Sequence, residues 1–341
     1  MMGKVVGFGD FILRLSPPGY QRFLQATSFD VNYTGAEANV LVSLGLNGIE
    51  TEFVSRLPSN AIADTAILSL KRFSVGTKFI ARGGERIGTF YLERGASQRP
   101  SKVVYDRKHT AIAEAKRQDF DWKVIFYGAD WFHFTGITPA LGENLPEIVE
   151  DACIAAAAAG VKISCDLNYR ATLWTEEKAQ PVMKKLVQYV NVLIGNEEDA
   201  AKMLGIVPEN TNVTAGELDF SSYASIAEQL SKQYHIEKVA FTLRESTSAS
   251  ENNWSALLYS DNNCYQSRKY RIQLVDRVGG GDSFSAGLVY ALKKDWDPQT
   301  VIEYATAASC LKQTTEMDFN LSTEAEILNL AKGDKSGRIQ R

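Results

Sequence analysis

Apolar residues fall along this chain in two alternating rhythms. Short unbroken apolar runs are separated by longer stretches in which apolar positions recur every three to four residues. The first pattern marks strands buried on both faces; the second marks amphipathic helices. It predicts strands at residues 4–9, 124–127, 131–135, 161–166, 190–195 and 238–242, and helices at 36–46, 145–159, 175–189, 197–204, 223–234, 282–293 and 298–312. Gly48 and Gly160 stand where helix ends favour a left-handed residue. Such alternation implies an α/β fold in which a largely parallel sheet is covered by helices on both faces. With neither repeats nor a low-complexity linker, the whole span 1–341 reads as one domain.

Two stretches, 20–33 and 86–105, break this rhythm. They are rich in aromatic and β-branched residues and alternate in strand fashion, as in Thr89-Phe90-Tyr91-Leu92. They are expected to be antiparallel strands added to the main sheet, with lid insertions at about 14–35 and 85–110. A small sheet projecting from one edge is placed to cover a substrate.

The net charge of −4 leaves no electrostatic footprint for nucleic acid. No apolar run is long enough to span a membrane, and nothing at the N-terminus resembles a cleaved leader, so a soluble, cytoplasmic protein is expected. Cys153, Cys165, Cys264 and Cys310 form no C-x-x-C pair, which argues against zinc or redox chemistry. His133, in an aromatic strand, reads as a satisfied core residue. There is no Walker sequence, and Gly7-Phe8-Gly9-Asp10 has Ile12 where a dinucleotide fingerprint needs its third glycine.

The chemistry concentrates in Asp276-Arg277-Val278-Gly279-Gly280-Gly281-Asp282-Ser283-Phe284. Three glycines running into a helix start make an anion cradle, with free N–H groups, close approach and a favourable helix dipole. Asp282 at that site is badly placed to bind phosphate and well placed to take a proton from a hydroxyl attacking it. As a free carboxyl it would titrate near 4. The alternative is a glycine turn with an aspartate N-cap.

This segment resembles the C-terminal signature D-T-x-G-A-G-D-x-F of the ribokinase-like (PfkB) sugar kinases, with Arg277 for the threonine and Gly280 for the alanine. Other motifs match along the chain. Thr34-Gly35-Ala36-Glu37-Ala38-Asn39 is similar to G-G-x-x-x-N, Asp166-Leu167-Asn168-Tyr169-Arg170 to D-x-N-x-R, and Asn196-Glu197-Glu198-Asp199 to N-x-x-E with Asp199 in the glutamate place. The resemblance implies a ribokinase-like fold using ATP and Mg2+. Gly35 and Asn39 would face the sugar. Asn168, Arg170, Asn196, Thr242 and Arg244 would face the nucleotide, the last two in a loop after a strand. Gly279, Gly280 and Gly281 would form the anion hole, with Asp282 as base. Asp199 would help hold magnesium, usually through water. Asp276 would lie near a monovalent-cation site. The lid would close over the sugar and often joins two copies into a homo-oligomer.

Arg14-Leu15-Ser16-Pro17-Pro18-Gly19, Gly84 to Tyr91 and Tyr105-Asp106-Arg107 resemble the branch of that family acting on 2-keto-3-deoxygluconate. A sugar acid carries a carboxylate that an arginine fork binds bidentately. Arg107 on the lid and Arg170 on the core would bracket it, with Tyr91 and Tyr105 as a wall. The expected activity is ATP-dependent phosphorylation of its 6-hydroxyl. Alternatives are a kinase for fructose or for the galactonate epimer, and an inactive sugar-binding regulator.

Overall fold

The computed structural model describes residues 3–207 and 220–333. The chain opens with β1 (Lys4–Phe8), β2 (Ile12–Ser16) and β3 (Asp30–Thr34), then helix α1 (Ala36–Leu46). β4 (Thr51–Leu57), α2 (Ala61–Lys71), β5 (Val75–Gly76) and β6 (Ile80–Arg82) follow, and then the hairpin of β7 (Thr89–Glu93) and β8 (Lys102–Asp106). The middle alternates as α3 (Trp122–Ile125), β9 (Ala129–Thr135), α4 (Leu145–Ala158), β10 (Lys162–Asp166), α5 (Glu176–Leu186), β11 (Val192–Gly195) and α6 (Glu197–Leu204). The last third holds α7 (Phe220–Tyr234), β12 (Lys238–Ser246), β13 (Glu251–Ser260), β14 (Asn263–Gln266), β15 (Tyr270–Gln273), α8 (Gly280–Lys293), α9 (Pro298–Lys312) and α10 (Glu324–Ala331).

The main sheet runs β14-β13-β12-β11-β10-β9-β1-β4-β5, with β15 on β13 and β6 on β4. Its centre, from β12 to β4, is parallel, and β13 joins antiparallel. Both faces are buried, which is why β1, β10 and β11 are apolar without alternation. One face packs on α1, α2, α8, α9 and α10, the other on α3 to α7. Burying a Leu or Val side chain in either layer contributes about 1.5–3 kcal/mol.

The small sheet is separate from the main one, in the order β3-β2-β7-β8. This corrects the expectation of strands added to the main sheet. Its middle pair, β2 with β7, is parallel. Most of 20–33 is irregular, and only β3 at its end is a strand; Ile12–Ser16, not singled out by pattern, provides the central β2.

Two further expectations fail. Residues 124–127 are no strand: α3 spans Trp122–Ile125, because the Asp121 side chain accepts from the Val124 amide as an N-cap, and Trp122, Ile125 and Phe126 are buried at helical spacing. Thr242 and Arg244 sit not in a loop but inside β12, which continues to Ser246 because antiparallel β13 pairs its whole length. His133 is half satisfied. Its Nδ1 lies 2.8 Å from Ser164 Oγ, its Nε2 has no partner, and burial pushes its pKa down to about 3. None of the four cysteines forms a disulfide. Among the described residues no helix is long and apolar enough to cross a membrane.

Candidate active site

The carboxyl ends of β1, β10 and β11, the start of α8 and the inner face of the small sheet surround a cavity of about 520 Å3. Parallel strands aim their ends and the following loops at one edge, so ligands collect there. Asp10 follows β1, Asp166 and Asn168 close β10, and Asn196 caps α6 after β11. Asn168 takes a left-handed backbone (φ +43) and donates its amide to Asp166 at 3.2 Å.

At the floor, Gly279 takes φ +80 and precedes the first residue of α8. A Cβ there would lie 2.1 Å from the Asp318 carbonyl oxygen, so only glycine fits. The Gly280 amide donates to Arg277 O at 3.2 Å, and the helical ladder starts with Ser283 donating to Gly279 O at 2.9 Å. Gly281 is exposed, and a Cβ on it would meet nothing within 4 Å. The cradle is therefore open at Gly281 and at the Asp282 amide, while Gly280 serves the turn. Asp282 is not the cap but lies three residues past the N-cap Gly279, in the first helical turn.

Asn39 Nδ2 donates to Asp282 Oδ2 at 2.6 Å. The Thr34 hydroxyl donates to Asn39 Oδ1 at 3.0 Å, which fixes the amide with its nitrogen towards the carboxylate. Gly35 lets this segment pass under the loop after β1; a Cβ would sit 1.9 Å from Asp10 O. Burial pushes the Asp282 pKa up to about 6, against the Asn39 hydrogen bond, with Asp318 raising it further and Arg170 and Lys312 opposing. A carboxyl raised to this range is better matched to accepting a proton near neutrality than a free one.

At the lid end, Arg107 stacks over the Tyr105 ring, 4.3 Å from Cζ to centroid. Its side chain is only 8% exposed, yet Nε and Nη2 have no hydrogen-bond partner. Asp10 Oδ2 is 3.8 Å from Nη1, and Asp10 Oδ1 is buried without a partner. Burial raises the Asp10 pKa to about 6, with Arg107 opposing. Unpaired buried donors and acceptors cost about 1–3 kcal/mol each, and a polar ligand would remove that penalty.

At the opposite end, Thr242, Arg244 and Arg277 line the cavity. Among the described residues neither Arg244 nor Arg277 has an ion pair. Burial, and secondly the Arg244 charge, push the Arg277 pKa down. Two facing cations without a counter-ion suit a polyanion such as a triphosphate. Between the ends, Asp166 and Asp199 form a buried acidic pair. Desolvation first, then Asp199 and Asp282, raise Asp166, and desolvation lifts Asp199 to about 6 although the Tyr169 amide donates to it at 2.9 Å. Such a pair suits a hard divalent cation.

The structure thus brings together Gly35, Asn39, Tyr105, Arg107, Asn168, Arg170, Asn196, Asp199, Thr242, Arg244, Gly279, Gly280, Gly281 and Asp282 around one cavity. It does not bring Tyr91, a correction with a simple cause. Strand side chains alternate, so Phe90 faces the cavity beside Tyr105, while Tyr91 points to the other face and meets Phe29 at 6.0 Å. Sequence reasoning missed Asp10, Glu37 and Arg277 as cavity residues. Glu37 Oε1 accepts from the Thr135 amide and from the Thr135 and Thr138 hydroxyls at 2.7–2.9 Å, tying α1 to the end of β9. An acid directly after the first parallel strand was the available signal for Asp10.

A glycine-rich helix start, a buried carboxyl beside it and a polar pocket under a small sheet are the features of a phosphotransferase acting on a hydroxylated small molecule. The chain belongs to the pfkB family of carbohydrate kinases, whose profile matches residues 2–322. It is similar to the crystal structure of a 2-dehydro-3-deoxygluconokinase from Thermotoga maritima, 52% identical with TM-score 0.94, covering 98% of this chain and 99% of that one. It is 28% identical to a 2-dehydro-3-deoxygalactonokinase of Haloferax volcanii, covering 99% of both. A putative ribokinase II from E. coli, in complex with ATP and Mg2+, shares the fold at 19% identity and TM-score 0.78, over 97% of this chain and 99% of that one.

Proposed function

We propose that this carbohydrate kinase transfers the γ-phosphoryl group of ATP to the 6-hydroxyl of 2-keto-3-deoxygluconate. The observation that carries the reading is Arg107, buried under the lid with two nitrogens unpartnered. A buried guanidinium with free donors is costly for a neutral sugar and well matched to a carboxylate. The Thermotoga maritima relative bears the name of that substrate. Arg107 holds the acid on the Tyr105 side, and Asp10, Gly35 and Asn39 meet hydroxyls. Arg170, whose charge is felt by Asp282, Asp166 and Asp199, stands between sugar and phosphate.

In the reaction, the 6-oxygen attacks the γ-phosphorus as the bond to the β,γ-bridging oxygen breaks and ADP leaves. The hydroxyl proton passes to a carboxylate oxygen of Asp282. The amides at the start of α8 take charge on the transferring group, with Gly279 and Gly280 shaping the turn. Asn168, Asn196, Thr242, Arg244 and Arg277 orient the nucleotide. Asp166 and Asp199 would hold magnesium, which would neutralise charge on the phosphate tail. The outer face of the lid sheet carries exposed Val31 and Val104 in line with Tyr91, and two copies would pair there.

The name of the Haloferax volcanii relative favours the galactonate epimer as the second reading. A phosphorylation screen over 2-keto-3-deoxygluconate, its galactonate epimer, fructose and ribose separates the readings, with 31P NMR locating the phosphate. The acids should exceed the neutral sugars by roughly a hundredfold in kcat/KM. Comparable values for fructose would refute the sugar-acid assignment and leave the kinase untouched.

A further inference from the structure

Behind the cradle lies a buried cluster of four charges that the reaction as described does not use. Arg14, on lid strand β2, is 1% exposed, and its guanidinium forms ion pairs with both Asp276 and Asp318. Lys312, at the end of α9, has no exposed surface, and its ammonium donates to the carbonyl oxygen of Asp276 at 3.0 Å and of Thr315 at 3.5 Å. The Val278 amide donates to Asp276 Oδ1 at 3.1 Å. Every oxygen of Asp276 therefore already has a donor. Two cations balance two carboxylates; each Asp276 oxygen is engaged, and Asp318 Oδ2 alone in the cluster is buried without a hydrogen-bond partner.

The cluster is wired to the reacting atoms from two sides. Asp276 begins the loop that becomes Gly279-Gly280-Gly281, and the Asp318 carbonyl lies against Gly279. Asp318 also sits beside the Thr34 hydroxyl, which holds Asn39, which in turn holds Asp282.

The geometry points to Arg14 and Lys312 as positioning residues, built-in counter-cations that hold the anion-hole loop and make turnover independent of any added monovalent cation. Lys312 fixes the loop through a main-chain oxygen, and Arg14 ties the same loop to the lid sheet. The inference rests on the carbohydrate kinase activity alone and not on the choice of sugar.

The first test needs no variant. Turnover of the wild-type enzyme, with whichever sugar the screen finds, is measured at fixed ionic strength in potassium, sodium, caesium and choline chloride. Rates should agree within about twofold, since the internal charges are covalently attached. Acceleration by potassium of roughly tenfold or more over choline overturns the proposal. The second test is Lys312→Met, with circular dichroism confirming the fold. Turnover should fall by about a hundredfold while both Michaelis constants stay within about threefold, because the loop is misplaced and the binding groups are not. Ammonium or potassium ions should restore at least about tenfold of that loss. Unchanged turnover, or a loss that no small cation restores, removes Lys312 from the positioning role. Absence of any sugar phosphorylation by the wild type would instead contradict the kinase activity itself.

Discussion

Replacing Asn39 by alanine tests the base and its tuning together. In the wild type the Asn39 amide donates to Asp282 at 2.6 Å and opposes the burial that raises the carboxyl to about 6. A hydrogen bond to a charged group contributes about 1.5–3 kcal/mol, and about 1.4 kcal/mol corresponds to one pKa unit, so its loss should raise Asp282 by roughly one to two units. The base is active when ionised, so kcat/KM falls as pH drops through its pKa. The acid limb should therefore move from about pH 6 in the wild type to about 7–8 in Asn39→Ala. At pH 7 the wild-type carboxyl is roughly nine-tenths ionised and the variant half or less. The assay is kcat/KM from pH 5 to 9, in a coupled reaction that reports ADP. Titration of the ATP phosphates is common to both enzymes, so the displacement between the curves is what counts. Lost contacts to sugar hydroxyls lower the plateau without moving the limb. A limb that stays within about 0.3 units of the wild type, or a wild-type profile flat down to pH 5, refutes the tuning argument.

Four further outcomes follow from the same geometry. Asp282→Asn should cut turnover by about 10²–10⁴-fold, and retention of half the wild-type rate excludes Asp282 as the base. The same substitution should raise the melting temperature at pH 8. An acid shifted from 3.8 to about 6 costs stability that grows between those pH values and is complete above them, up to about 3 kcal/mol, so calorimetry at pH 4 should show little gain. Arg107→Ala should raise KM for the sugar acid about 10–150-fold with KM for ATP unchanged, and equal effects on both would place Arg107 outside the acid pocket. Arg277→Ala should do the reverse, raising KM for ATP by about tenfold or more while leaving the sugar acid alone; isothermal titration with ADP provides a check free of turnover.

The sequence revealed what is local or periodic. The β1, β10 and β11 strands, the α1 and α9 helices and the glycine cradle could be read because burial on both faces, helical spacing and backbone freedom leave marks along the chain. What it hid depends on pairing between distant segments. The continuation of β12 through Arg244 is dictated by β13, and the short apolar run at 124–127 became helix because Asp121 caps it. The side of the lid strand on which Tyr91 falls depends on register, which a resemblance in residue type does not carry. The roles of Asp10 and Glu37 were hidden for another reason. A lone acid after a strand or in a helix acquires meaning only when burial and its neighbours are known. Arg14 carries no signal of its own until Asp276 and Asp318, far along the chain, are folded against it.

The distance along the chain between partners in the site has a consequence for how the protein is made. Asn39 and Asp282 are 243 residues apart, and Arg14 and Asp318 are 304 apart. At ribosomal speeds of about 5–20 residues per second, Asn39 waits roughly 12–50 s for Asp282. During that interval the face of α1 that will pack on α8 has no partner, and Arg14 has neither of its carboxylates. The nascent chain therefore carries an exposed apolar helix face and an unneutralised cation through most of its synthesis. On the proposed mechanism a truncated product ending before α8 would be inactive, since Asp282 and the glycine turn both come in the last fifth of the chain.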